Sequence, residues 1–95
     1  MDDLDAHLVP PARLRLVTTL TAVSEAEFAT IRDALQVSDS VLSKHVTALE
    51  GAGYVKRRKG VHQGRRTTWI SLSSRGRRAL SAHVAVLRAL TDGIE

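Results

Sequence analysis

The sequence predicts an α+β fold in which a small helical core carries a projecting β-hairpin. Three observations carry the prediction. Two stretches of helical apolar period, near residues 30–36 and 39–51, lie only about three residues apart. After Gly51 and Gly53 the period changes to the alternation of strands over about 54–72. The charge divides in the same place: residues 1–50 hold four basic and eight acidic side chains, and residues 51–95 hold ten and two, within a net charge of +4.

Each element follows from its local chemistry. Pro10-Pro11 precede Leu14, Val17, Leu20 and Val23 at helical spacing, which predicts a first helix over about 11–23. Ser24 with Glu27, or Thr30 with Asp33, offers a capping box for the next helix. The later start leaves Glu27-Phe28 in a short extended piece and sets a second helix at about 30–36, with Ile31, Leu35 and Ala34 toward the core. Ser38-Asp39-Ser40 starts a third helix, in which Leu42, Val46 and Leu49 form the inward stripe, and Gly51 and Gly53 end it. The short gap between these two helices predicts a helix-turn-helix over about 30–51. Tyr54, Val55 and the run Lys56-Arg57-Arg58-Lys59 lead out along a strand, Gly60-Val61-His62-Gln63-Gly64 suits a hairpin tip, and Thr67 to Leu72 returns. Ser73 or Ser74 caps a last helix over about 74–91, with an apolar stripe through Leu80, His83 or Val84, Leu87, Leu90 and Ile94. Phe28, Tyr54 and Trp69 are expected in the core, being too few and too dispersed to stack on the bases of a single strand.

Composition narrows the function classes. A chain of 95 residues predicts one domain over 1–95 with a thin stability margin, since such a domain buries only about 60–65% of its unfolded surface. Any ligand response is expected within that same fold or its interface. The absence of cysteine excludes disulfides, thiolate metal sites and cysteine nucleophiles. Asp2, Asp3 and Asp5 do not give a signal peptide's basic-then-apolar order, and no apolar run approaches the roughly 18 residues of a membrane span, so a cytoplasmic chain is expected. His7, His45, His62 and His83 form no H-x-x-x-H pair, and neither G-x-S-x-G nor a phosphate-loop glycine pattern occurs, so no catalytic site and no cofactor is expected.

The residues that remain point to a polyanion. No acidic residue lies between Glu50 and Asp92, and an acid-free block of this length suits a negatively charged partner. On the third helix, 100° steps place Ser40, Lys44 and Thr47 opposite the inward stripe, with Val41 and Ser43 on the flanks. Short hydroxyls let a helix approach the base edges of a major groove, and a lysine reaches a phosphate or a guanine. Ser38 sits at the helix N-terminus, which favours a phosphate. One of Arg65 and Arg66, beside Gly64, is expected at the minor groove or its phosphates, with His62 and Gln63 as lesser contacts. Alternation along the strand prevents all of residues 56–59 from touching one backbone. His45 is expected half-buried, Asp39 as a helix-terminus charge and Glu50 in a structural ion pair, and Arg75, Arg77 and Arg78 in need of an anionic partner because cations oppose the dipole of a helix start.

Two stretches add a family resemblance. Leu42-Ser43-Lys44-His45-Val46-Thr47-Ala48-Leu49-Glu50, followed by Gly53-Tyr54-Val55, resembles the "L-S-x-H-(apolar)-x-x-L-E-x-x-G-(aromatic)-V" signature of ArsR/MarR-like winged-helix transcriptional regulators. Gly64-Arg65-Arg66-Thr67-Thr68-Trp69 with Leu72-Ser73-Ser74-Arg75-Gly76 is similar to that group's wing-to-helix stretch. The resemblance implies a winged helix-turn-helix of order α-β-α-α-β-β-α with a C-terminal helix, and a homodimer. Leu14, Val17, His83, Leu87, Leu90 and Ile94, with Leu8 and Val9 beside them, are the candidate dimer surface. Some ArsR-like regulators sense metal; here Asp5, His7 and His83 could meet only through the fold, and no metal site is expected. The expected function is a double-stranded DNA-binding regulator. The alternatives are a winged helix that docks an acidic protein, and a regulator with a small-molecule pocket at its dimer interface.

Overall fold

The computed structural model describes residues 3–94. In order the elements are α1 (Pro11–Leu20), β1 (Ala26–Glu27), α2 (Phe28–Leu35), α3 (Asp39–Gly51), β2 (Val55–His62), β3 (Arg65–Leu72) and α4 (Ser74–Thr91). β2 and β3 form a long antiparallel hairpin, and β1 pairs with the other edge of β3, giving the strand order β1-β3-β2. Among the described residues no helix is long and apolar enough to cross a membrane.

The core lies where α1, α2 and α3 meet the base of the hairpin. Leu16, Val17 and Leu20 of α1, Ile31 and Leu35 of α2, and Leu42, Val46 and Leu49 of α3 close on Val55 and Ile70. Leu8, from the segment before α1, completes this cluster and is fully buried. Each such side chain contributes about 1.5–3 kcal/mol when withdrawn from water. α3 is therefore anchored along its whole inner stripe, and its opposite face is presented rigidly to solvent.

Chain turns set the boundaries that periodicity leaves open. α1 ends at Leu20 rather than residue 23, because Val17, Thr18, Thr19 and Thr21 are poor helix formers and the chain tightens into i−3 bonds from Thr21, Ala22 and Val23. Val23 is exposed, and Leu16 takes the core place. α2 begins at Phe28, ahead of the expected start at Thr30, so that β1 is Ala26–Glu27. It ends with Gln36 in the left-handed region (φ 56°), where the Gln36 and Val37 amides donate to Asp33 and Arg32 carbonyls. That early stop leaves Ala34 exposed instead of in the core.

α3 keeps its expected ends. The Ser38 hydroxyl accepts from the Val41 amide at 3.2 Å, and Gly53 (φ +78°) turns the chain so that the Gly53 and Tyr54 amides close on the carbonyls of Glu50 and Leu49. At the start of α4, the Ser73 hydroxyl accepts from the Gly76 amide at 2.9 Å and donates to the Gly53 carbonyl at 2.6 Å. This one serine caps α4 and ties it to the exit of α3.

Candidate nucleic-acid interface

The outer face of α3 is polar and short. Ser40, Ser43, Lys44 and Thr47 are exposed, with Val41 beside them at 41%. Its ends and flanks are fixed by charge pairs. Arg32 of α2 reaches Asp39 in the first turn of α3 at 2.9 Å, while also holding its neighbour Asp33 at 3.0 Å. Arg57 of β2 reaches Glu50 at 3.1 Å and donates to the Thr47 hydroxyl at 3.2 Å. Thr47 therefore faces outward in one orientation, set from the hairpin. Sequence reasoning read Asp39 as a helix-terminus charge and Glu50 as one of an ion pair but could not name Arg32 and Arg57 as their partners, because both bonds bridge separate elements.

The register of β2 and β3 divides the basic run between two faces. Arg57 stands opposite Ile70, Lys59 opposite Thr68 and Val61 opposite Arg66, so these share the α3 side of the sheet. Lys56, Arg58, Gly60 and His62 stand opposite Ser71, Trp69, Thr67 and Arg65 on the outer side. Lys59, Arg66 and the apolar Val61 are exposed, so the distal hairpin continues the cationic face of α3. Arg65 and Arg66, which the sequence could not tell apart, point to opposite faces.

The outer side is built differently. Arg58 makes two bonds to Glu25, the shorter at 2.6 Å, and this carboxylate holds its guanidinium pKa up. Its guanidinium lies 5.7 Å from the Trp69 ring centre. His62 meets the same ring edge-on at 5.5 Å and lies 3.8 Å from Glu27. The indole covers Gly60, where a Cβ would meet it at 3.1 Å and the Arg58 guanidinium at 2.9 Å. Gly60 is thus a strand residue under a ring, and the tip is only the Gln63-Gly64 pair, with φ of 53° and 77°. The longer expected tip, residues 60–64, is corrected on that ground, and His62 lies on the outer strand face.

Other expected positions resolve through packing. His45 is half-buried, and its Nδ1 accepts from Arg13 Nε of α1 at 3.1 Å. Burial, with Arg13 and Lys44 close by, holds its pKa below the usual imidazole value. Of the candidate dimer surface, Val17 and His83 are buried inside the subunit, as is Leu8 beside them, because α1 packs on α4 and the N-terminal segment covers both. The Asp5 amide donates to His83 Nδ1 at 3.0 Å, and Tyr54 donates its hydroxyl to the Asp5 carboxylate. Asp5 and His83 do meet, but through a backbone amide, while the His7 ring rests edge-on against Tyr54. Leu14 and Leu87 are half-exposed, and Leu90 and Ile94 stand out at 60% and 73%.

Comparison with known proteins gives this geometry its context. The chain matches the family described as winged helix DNA-binding domain over residues 12–91. An uncharacterised protein of Methanocaldococcus jannaschii is 29% identical over 83 residues, covering 87% of this chain and 90% of the relative. A transcriptional regulator homologue from Pyrococcus horikoshii superposes with a TM-score of 0.87 at 27% identity, over 94% of this chain and 88% of its own. A MarR family transcriptional regulator from Streptomyces coelicolor does so with a TM-score of 0.72 at 26% identity, over 87% of this chain and 57% of its own. With its helix-turn-helix, its basic hairpin and a family match spanning nearly all its elements, the chain belongs to the winged helix DNA-binding domain family.

Proposed function

We propose that residues 1–95 act as one winged-helix domain that binds double-stranded DNA as a homodimer and represses transcription by occupying its operator. α3 enters the major groove, presenting Ser40, Val41, Ser43 and Thr47 to base edges, with Lys44 reaching a phosphate and Ser38 at the phosphate end. The hairpin lies on the adjacent backbone or minor groove through Arg66 and Lys59. The observation that carries this reading is the continuity of one carboxylate-poor face. Lys44, Lys59 and Arg66 are exposed and outside every ion pair found among the described residues, and the acidic Glu50 beside them is taken up by Arg57. The paired Arg57 and Arg58 serve as buttresses. Exposed Leu90 and Ile94, with Leu87 and Leu14, support pairing across a twofold axis, which sets two recognition helices about one DNA turn apart.

The test is duplex binding against salt concentration. Each neutralised phosphate contributes a slope of about −0.9 in log K against log salt, so these three cations give about −3 for one subunit and about −5 for two. The absence of duplex binding at low salt overturns the reading. Light scattering is expected to give about twice the 10.3 kDa chain mass, and a clean monomer at micromolar concentration removes the dimer.

A further inference from the structure

The two flanks of α3 are both cationic, and only one of them belongs to the wing. His45 and Glu50 lie about a third of a turn to either side of the outward stripe of α3. On the Glu50 side Arg57 leads into the hairpin. On the His45 side stands Arg13 of α1, whose Nε donates to a neutral acceptor, the imidazole Nδ1, at 3.1 Å. Lys44 projects next to it, exposed. The charged groups acting on His45 are thus Arg13 from α1 and Lys44 from its own helix, both cationic. Among the described residues no carboxylate lies within ion-pair distance of any of the three. Two cations gathered around a neutral imidazole without an acid leave their charge uncompensated, and the arrangement gains stability from an anion.

A helix of about 10–12 Å diameter lying in a major groove about 12 Å wide has a phosphate strand on each side. We propose that Arg13, His45 and Lys44 form a second clamp for a DNA backbone phosphate, on the strand opposite the one that the wing contacts. The clamp rests on the duplex-binding reading above and adds a site on α1 to it. The Arg13 guanidinium keeps two terminal nitrogens for a phosphate while its Nε is engaged. With Nδ1 accepting, the neutral His45 ring carries its hydrogen on Nε2. A phosphate arriving beside the ring favours a second proton, at Nδ1. That proton removes the acceptor holding Arg13 and frees its whole fork for the phosphate. Duplex binding then takes up one proton per subunit.

The test uses the full chain and a random-sequence duplex, with affinity measured from pH 8 to pH 5.5 at constant ionic strength. Wild type is expected to bind more tightly as pH falls, by at most tenfold per pH unit per subunit. His45→Gln is expected to bind less tightly than wild type at pH 5.5 and to lose most of that pH dependence, which separates His45 from His62 and His7. Arg13→Gln is expected to bind less tightly at every pH, with a salt slope smaller by about 0.9 per bound subunit, and Arg13→Lys to restore part of that slope. The ring protons of His45 in wild type, followed by NMR with and without duplex, give a readout that needs no variant: their titration moves to higher pH on binding. If wild type binds duplex with the expected salt slope while the His45 titration stays put and Arg13→Gln leaves the slope unchanged, the clamp is wrong and the DNA reading stands. If wild type binds no duplex at all, the DNA reading falls and takes the clamp with it.

Discussion

Arg65 and Arg66 are adjacent in sequence, identical in chemistry and opposite in placement, which makes them a direct test of the wing geometry. Arg66 pairs across the hairpin with Val61 on the side of α3, whereas Arg65 pairs with His62 on the side of Trp69. Both are exposed, so replacing either with alanine leaves the fold intact. A charge-assisted contact contributes about 1.5–3 kcal/mol, and an exposed one belongs at the lower end, which is about tenfold in affinity per subunit. Arg66→Ala is therefore expected to weaken duplex binding about tenfold per bound subunit and to reduce the salt slope by about 0.9 for each. Arg65→Ala is expected to change affinity less than about twofold and to leave the slope alone, as only a cation that displaces a counterion enters it. Fluorescence anisotropy with one labelled duplex, across a salt series, measures both quantities. Equal losses in the two variants, or a larger loss from Arg65→Ala, would refute the assignment of the α3 side of the hairpin to DNA.

Three further outcomes concern the scaffold. Gln36→Gly relieves a left-handed residue at the end of α2 and is expected to raise stability by about 0.5–1 kcal/mol in urea unfolding; a lower midpoint contradicts the turn geometry. Gly76→Ala gains about 1 kcal/mol of helix propensity, but its Cβ runs into the Tyr54 carbonyl and comes within 2.6 Å of Leu72. That carbonyl is backbone, and it also accepts from the Ser73 amide, so it has little room to shift. A net loss of about 2 kcal/mol, or roughly 8–16 °C in Tm, is expected, whereas a rise in Tm would show that α4 packs more loosely on Tyr54 and Leu72. His45 has its pKa lowered in the folded chain, so on acidification below about 6.5 the unfolded chain takes the proton first and stability declines. Comparing unfolding of wild type and His45→Gln at pH 8 and pH 5.5 isolates this part, and an equal acid loss in both assigns it elsewhere.

The sequence by itself determined the order of elements, the α3 limits and the inward stripe of Leu42, Val46 and Leu49. The reason is that capping serines, glycine stops and a 3.6-residue period act within a few residues of each other. It also marked the outward polar face of α3 and the basic block, since charge and polarity need no partner to be read. Where local signals conflicted, it went astray. Gly60 reads as a loop until Trp69 is seen lying over it, and Ala34 reads as core until Gln36 turns the chain. Only the tertiary structure decided which cations are free. It set Arg57 on Glu50 and Arg58 on Glu25, leaving Lys44, Lys59 and Arg66 outside every ion pair among the described residues. It buried Val17 and His83 within one subunit, and it carried Arg13 across from α1 to His45. Those placements depend on residues 7 to 78 positions apart meeting in space, and strand register and helix packing alone bring them together.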